Sequence, residues 1–441
     1  MKRKLISFLA AGLISFSGLS QQVDKEKLDA YFDTFGNNNK FMGSVAVSHG
    51  KELIYVKSVG FADIEQGLKA NENSKYRIGS ISKTFTTVLV FKAIEENKLS
   101  LNQTIEIFFP AIDNASKISI EHLLYHRSGI GSFTDDVSYL SWNTQPKTEQ
   151  EMIEIISNAG SNFEPDAKTS YSNSNYVLLT FILENIYKKS YSEILEEKII
   201  RPLGLKNTYY GKKINTKDNE CKSYKFAEDW QTEPETDMSI PLGAGGIVST
   251  PVDLTIFGEA LFNGTLVSIN SLNRMKTIKE RMGMGLIQIP FYERISFGHN
   301  GAIDGFGSLF SYFPDSNITF AFISNGINYN ANDIAIAVLS AVYDKPFDIP
   351  EFKTYQITDE ELDKYLGVYA SAQIPLKMTI AKVNGKLFGQ ATGGQSSFPL
   401  EATEKDKFEF VQAGIILEFN PTDKTMVLKQ GGGVFSFVRE E

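Results

Sequence analysis

Strand-patterned segments stand at both ends of a long helical stretch, and no other feature constrains the fold as much. "SVAVSHGKELIYVKS" (44–58) alternates apolar and polar residues about His49-Gly50-Lys51 and reads as a β-hairpin. Strand patterns return only far along the chain, over 294–313 and 317–324, joined by the turn "PDSN". Between them the apolar period is helical. One helix is expected over 80–97, and a long buried one over 175–186. Thr148 with Glu151, and Ser190 with Glu193, have the spacing of capping boxes. "STPVDLTIFGEALFNG" carries a hydroxyl cap, Pro251 in its first turn and Gly264 beyond its end. A last helix is expected over 332–343. This order predicts one sheet drawn from distant parts of the chain, with helices packed on it and a helical region inserted.

After "DKPFDIPEF" (344–352) the texture changes. From Leu366 onward, short alternating runs are separated by glycine or asparagine turns, the spacing of an all-β barrel or sandwich. "GGG" at 431–433 follows no strand-to-helix switch and reads as a β-turn. A boundary near Ile349 is expected, giving units 21–348 and 349–441. Residues 1–20 have a basic head (Lys2, Arg3, Lys4), an apolar run from Leu5, and small residues Gly18 and Ser20 before Gln21. They read as a secretory signal peptide cut after Ser20, which makes the protein secreted or periplasmic with no membrane span left after cleavage.

A net charge of −9 and a pI near 5.3 argue against nucleic acid, whose phosphates attract basic grooves, and leave a neutral or cationic small partner. Cys221 is the only cysteine, so an intramolecular disulfide and a cysteine metal cluster are both excluded. Its polar surroundings, "DNECKSYK", read as a surface loop with an inert thiol. His122 and His126 stand four apart, as zinc ligands on a helix face can, but the glutamate of HExxH is missing and only His49 and His299 remain elsewhere. They read as structural or capping residues. No cofactor and no metal are expected.

The chemistry-bearing pattern is "IGSISKTF" (78–85), which sets Ser80 and Lys83 three apart near a helix start. On a helix, that spacing puts both side chains on one face, within reach of each other, and the free amides of the first turn suit a developing oxyanion. A second Ser-x-x-Lys, Ser48 to Lys51, crosses the hairpin turn, where side chains splay apart. A serine hydroxyl needs a base. Neutral Lys83 could serve, and a tyrosine beside a cationic lysine is another solution, since the charge favours the phenolate. Only Tyr171 stands two before an asparagine, Asn173, in the polar loop "TSYSNSNY" (169–176). GxSxG is absent.

"IGSISKTF" and "YSN" resemble the SxxK and YxN motifs of serine β-lactamases and penicillin-binding proteins, most closely the class C-like esterases and D-amino-acid peptidases. "LLYHRSG" (123–129), "GAGGIVSTPVDL" (243–254) and "FGHNGAIDGFGS" (297–308) fit in the same order. The resemblance implies an α/β (α+β) fold with an antiparallel sheet, flanking helices and an appended lipocalin-like barrel. It implies Ser80 as the acylating nucleophile, Lys83 and Tyr171 as its proton-transfer pair, and Asn173 as the holder of the substrate amide. His299-Asn300-Gly301 stands where many members have Lys-Thr-Gly; the Ala302 amide would join that of Ser80 in an oxyanion hole, and Gly301 would leave room for the substrate backbone. A mostly neutral His299 lacks the charge that holds a substrate carboxylate. The implied function is therefore a secreted serine hydrolase working through an acyl-enzyme. Its partner would be a small-molecule or peptide ester or amide, of the esterase or D-amino-acid peptidase type, with weak or no β-lactam hydrolysis. The alternative is a penicillin- or peptidoglycan-binding protein that acylates or binds without efficient turnover.

Overall fold

The computed structural model describes residues 23–227, 229–394 and 396–440. The expected signal peptide, residues 1–20, lies outside them. Lys25–Asn37 forms helix α1, because Leu28, Tyr31, Phe32 and Phe35 share one buried face and the Asp24 carboxylate accepts from the Lys27 amide at its start. The hairpin follows, β1 (Phe41–His49) and β2 (Glu52–Val59), turning through Gly50 in the left-handed region. The longer central helices are α2 (Ser82–Glu95), α3 (Asn173–Tyr187) and α4 (Pro251–Phe262). Both capping boxes form, and Thr250 caps α4 through the Asp253 amide.

The chain then returns to the sheet through β3 (Ile287–Phe291), β4 (Arg294–Ile303), β5 (Phe306–Phe313) and β6 (Ile318–Ile327), and closes with α5 (Ala331–Val342). The six strands are antiparallel in the order β3-β4-β5-β6-β1-β2, so β1 pairs with β6 across the whole inserted region. Alternation along the strands feeds two cores. Phe41, Val45 and Val47 of β1 meet Phe320 and Phe322 of β6 under α1 and α5. Ala321 and Ile323 face the opposite side, where the rings of Phe85 (α2) and Phe257 (α4) stack at 3.7 Å.

The C-terminal strands, from Gly367–Ala370 to Gly433–Arg439, close into an eight-stranded antiparallel barrel. Its inward positions include Tyr369, Met378, Leu417, Phe419, Met426 and Phe437, all buried in one cluster. Eight strands leave an interior that side chains can fill, and here they do. The "GGG" segment is the expected turn, with Gly431 and Gly432 both in the left-handed region and Gln430 paired with Gly433. Lys40, just before β1, meets Glu401 of the barrel at 3.1 Å.

Cys221 departs from expectation: it is buried, not on a surface loop. Its amide donates to the Lys75 carbonyl, which turns the thiol toward Tyr76. Burial pushes the thiol up to about 12, so it stays protonated and unreactive. Among the described residues no helix is long and apolar enough to cross a membrane.

Candidate active site

Ser80 is not in the expected helix but in a single 3-10 turn, Gly79–Ile81, that precedes α2. The cause is Gly79, whose φ is +50°. A Cβ there would lie 2.8 Å from the Ala302 amide nitrogen, so only glycine lets this turn press against β4. Gly301 has a packing role of its own. The space its missing side chain leaves is taken by the protein itself: a Cβ would fall 2.2 Å from the Ile78 carbonyl and 3.0 Å from the Ser80 amide nitrogen. The glycine thus admits the nucleophile turn against β4.

Lys83 is fully buried, and its amine contacts Ser80 Oγ at 3.0 Å, Asn173 Oδ1 at 2.8 Å and the Ala244 carbonyl at 2.7 Å. Among the described residues no carboxylate pairs with it, and burial holds it well below the ordinary lysine range. A neutral amine has two hydrogens and one lone pair. The two carbonyl oxygens can only accept, so they take both hydrogens and leave the lone pair facing Ser80 Oγ. The Tyr171 hydroxyl donates to the same Oγ at 2.8 Å, and burial pushes it up to about 12. The alternative of a phenolate favoured by a charged lysine therefore has the wrong sign here. Burial dominates both shifts, lowering the amine and raising the phenol, and so favours the neutral form of each.

Supporting groups that carry no sequence motif fix these atoms. The short helix Ile120–Leu124 ends before His126, which turns back in the left-handed region and stacks its ring on Tyr171 at 4.4 Å. The two histidines thus do not share a helix face. His122 Nδ1 accepts from the Ser119 amide, and His126 Nδ1 accepts from the Ser172 amide. Asn173, expected to hold substrate, accepts from Lys83 at Oδ1 and donates from Nδ2 to Thr134 Oγ1 at 3.0 Å. The Ala244 carbonyl is aimed by Gly243, which fits between Thr86 and Thr180 so closely that a Cβ would meet both hydroxyls at 2.5 Å.

A cleft of about 610 Å³ opens over Ser80, Asn173, Ala244 and Ala302. The family model described as Beta-lactamase matches residues 28–343. The chain belongs to the beta-lactamase family. It is an enzyme of the serine hydrolase, SxxK type. Penicillin-binding protein 4* of Bacillus subtilis (strain 168) is 24% identical over 453 residues, covering 95% of this chain and 99% of that protein. Teichoic acid D-alanine hydrolase of Staphylococcus aureus (strain MRSA252) is 27% identical over 231 residues, 52% of this chain and 55% of that protein. Among solved structures, D-amino acid amidase from Ochrobactrum anthropi SV3, complexed with D-phenylalanine, superposes with a TM-score of 0.64 at 24% identity, covering 72% of this chain and 99% of that one.

Against the beta-lactamase family pattern, the third motif carries His299. It is buried on β4, with Nδ1 on the Asn300 carbonyl at 2.6 Å. Burial, and then the neighbouring Lys83, pull it down to about 4. The unfolded chain takes up this proton near pH 6.5, whereas the fold resists it until about pH 4. The stability tied to neutral His299 is thus complete above the unfolded value and is lost as pH falls toward the folded one, by about 3 kcal/mol. Urea unfolding at stepped pH is expected to show this loss in the wild type and a smaller one in His299→Gln.

This beta-lactamase family member also clamps its two candidate oxyanion donors from outside. Arg77, three residues before Ser80, pairs with Asp304, two after Ala302, at 2.8 Å, and both side chains are 2% exposed. Asp304 further accepts from the Thr236 amide and hydroxyl, and Arg77 reaches Glu235. Removing one charge of a buried pair strands the other. Asp304→Asn is expected to cost about 3 kcal/mol in chemical unfolding.

Proposed function

We propose that the enzyme hydrolyses esters or amides through an acyl-enzyme on Ser80. The observation that carries this reading is the Ser80 hydroxyl oxygen held between the Tyr171 hydroxyl at 2.8 Å and the buried Lys83 amine at 3.0 Å, whose burial favours the neutral, basic form. Lys83 takes the Ser80 proton as Oγ attacks the carbonyl. The Ser80 and Ala302 amides receive the oxyanion, at about 2.7–4 kcal/mol per donor. Tyr171 then gives its phenolic proton to the leaving alcohol or amine and regains one from the Lys83 ammonium; in the second half, attacking water loses a proton to this pair, which returns it to Ser80 Oγ as the acid leaves.

The substrate side follows from charge. His299 is neutral at pH 7, and Lys225, at the cleft wall, is paired with Glu233 at 2.6 Å. No free cation stands among the described lining residues to bind a carboxylate beside the scissile bond. Esters and amides of D-amino acids, whose amine is cationic, fit better than β-lactams. The names of the amidase and D-alanine hydrolase relatives support this choice. We further propose that the protein is exported by its first twenty residues, that residues 21–348 carry the chemistry and that the barrel from 349 serves as packing support. A panel of short-chain esters, D-amino-acid amides and a chromogenic cephalosporin tests the reading. Esters and D-amides should turn over at least about tenfold faster than the cephalosporin, since a lost charged hydrogen bond costs about 1.5–3 kcal/mol. A cephalosporin hydrolysed as well as the esters would defeat it.

A further inference from the structure

The cleft over Ser80 has one wall that the chemistry above does not use. The turn Phe133–Asp135 and the short helix Tyr139–Trp142 carry three aromatic rings in mutual contact: Phe133 to Tyr139 at 5.9 Å, Tyr139 to Trp142 at 5.2 Å and Phe133 to Trp142 at 6.4 Å. Phe133, Tyr139 and Leu140 line the cleft, and Ile303 and Pro241 line it as well. Leu140 is 79% exposed, and Val137, on the same segment, is fully exposed. A lone exposed leucine is ordinary. Here it stands at the mouth of the cavity that holds the nucleophile, over a preorganised aromatic floor, where a bound group would cover it. The charged lining residues offer little in competition, since Lys225 is paired with Glu233 and Asp304 with Arg77.

We infer that this wall is a specificity subsite for an aliphatic group of the substrate, continuous with the cleft over Ser80. The inference rests on the hydrolase reading for its chemistry, but the apolar wall exists whether or not Ser80 turns over. Covering about half of each added methylene should raise kcat/KM about twofold per carbon, or about fifteenfold from two to six carbons.

Two ester series separate the possible sources of the group: p-nitrophenyl acetate to hexanoate varies the acyl side, and methyl to hexyl acetate varies the alcohol. The wild type should gain about fifteenfold in kcat/KM along the acyl series, or about thirtyfold along the alcohol series. That gain should collapse toward unity in Leu140→Ser and in Tyr139→Ser, and persist in Ile107→Ser, an exposed apolar position outside the cleft. A flat response in both series with active enzyme, or a gain untouched by Leu140→Ser, overturns the subsite while leaving the hydrolase standing. Binding without turnover gives the converse. In Ser80→Ala with Trp230→Phe, the emission of Trp142 should report hexanamide binding at least about tenfold tighter than acetamide, and Leu140→Ser should remove the difference. If no ester is hydrolysed but this preference holds, the subsite stands and the hydrolase reading falls. Equal binding of the two amides counts against the subsite.

Discussion

Ser80→Ala is expected to lower turnover of activated esters at least about a thousandfold while leaving the unfolding midpoint nearly unchanged. The change removes one oxygen that touches Lys83 and Tyr171 and disturbs no apolar core contact. The turn itself is set by Gly79 and by the Ile81 and Ser82 amides, which donate to the Ile78 and Gly79 carbonyls. Alanine can keep all of these. Residual activity above the uncatalysed rate would come from binding and the two amides alone. Circular dichroism melts alongside initial rates separate loss of chemistry from loss of fold.

Lys83→Met is expected to be nearly as severe, about a thousandfold or more at pH 7. Methionine fills the same buried volume but offers no lone pair. Lys83→Arg is the sharper companion: guanidinium keeps a positive charge and cannot give up its proton, so it cannot act as a base. If Lys83 worked by charge alone, arginine would retain much of the rate. On the geometry here both variants fail, and the wild-type rate itself declines as pH drops through the lowered lysine value, because the base is then protonated.

Much of this was legible beforehand because it rests on local pattern. Ser80 and Lys83 are close in sequence, so their meeting needs only a helical turn, and the apolar alternation after Leu366 suffices to announce strands. Barrel closure was harder to read, because it depends on Tyr369 pairing with Arg439 from the far end of the domain. Helix α1 escapes notice in the sequence although Leu28, Tyr31, Phe32 and Phe35 hold helical spacing, and Pro290 hides β3. Nothing in "IGSISKTF" says that Gly79 takes a positive φ, so the pattern carries the helix through Ser80. The Ala244 carbonyl and the His126 ring leave no motif of their own. A backbone acceptor can come from any residue type, and a stacking histidine is recognisable only once its partner's position is known. The polarity of its neighbours points Cys221 to the surface, whereas its burial follows the strand-like contact with Lys75.

Mass spectrometry after exposure to a fluorophosphonate tests most directly whether one activated hydroxyl carries the chemistry. A single covalent adduct is expected on the peptide containing Ser80, formed in the wild type, absent from Ser80→Ala and strongly slowed in Lys83→Met. An adduct mapped to another residue, or labelling that proceeds equally well without Lys83, would contradict it.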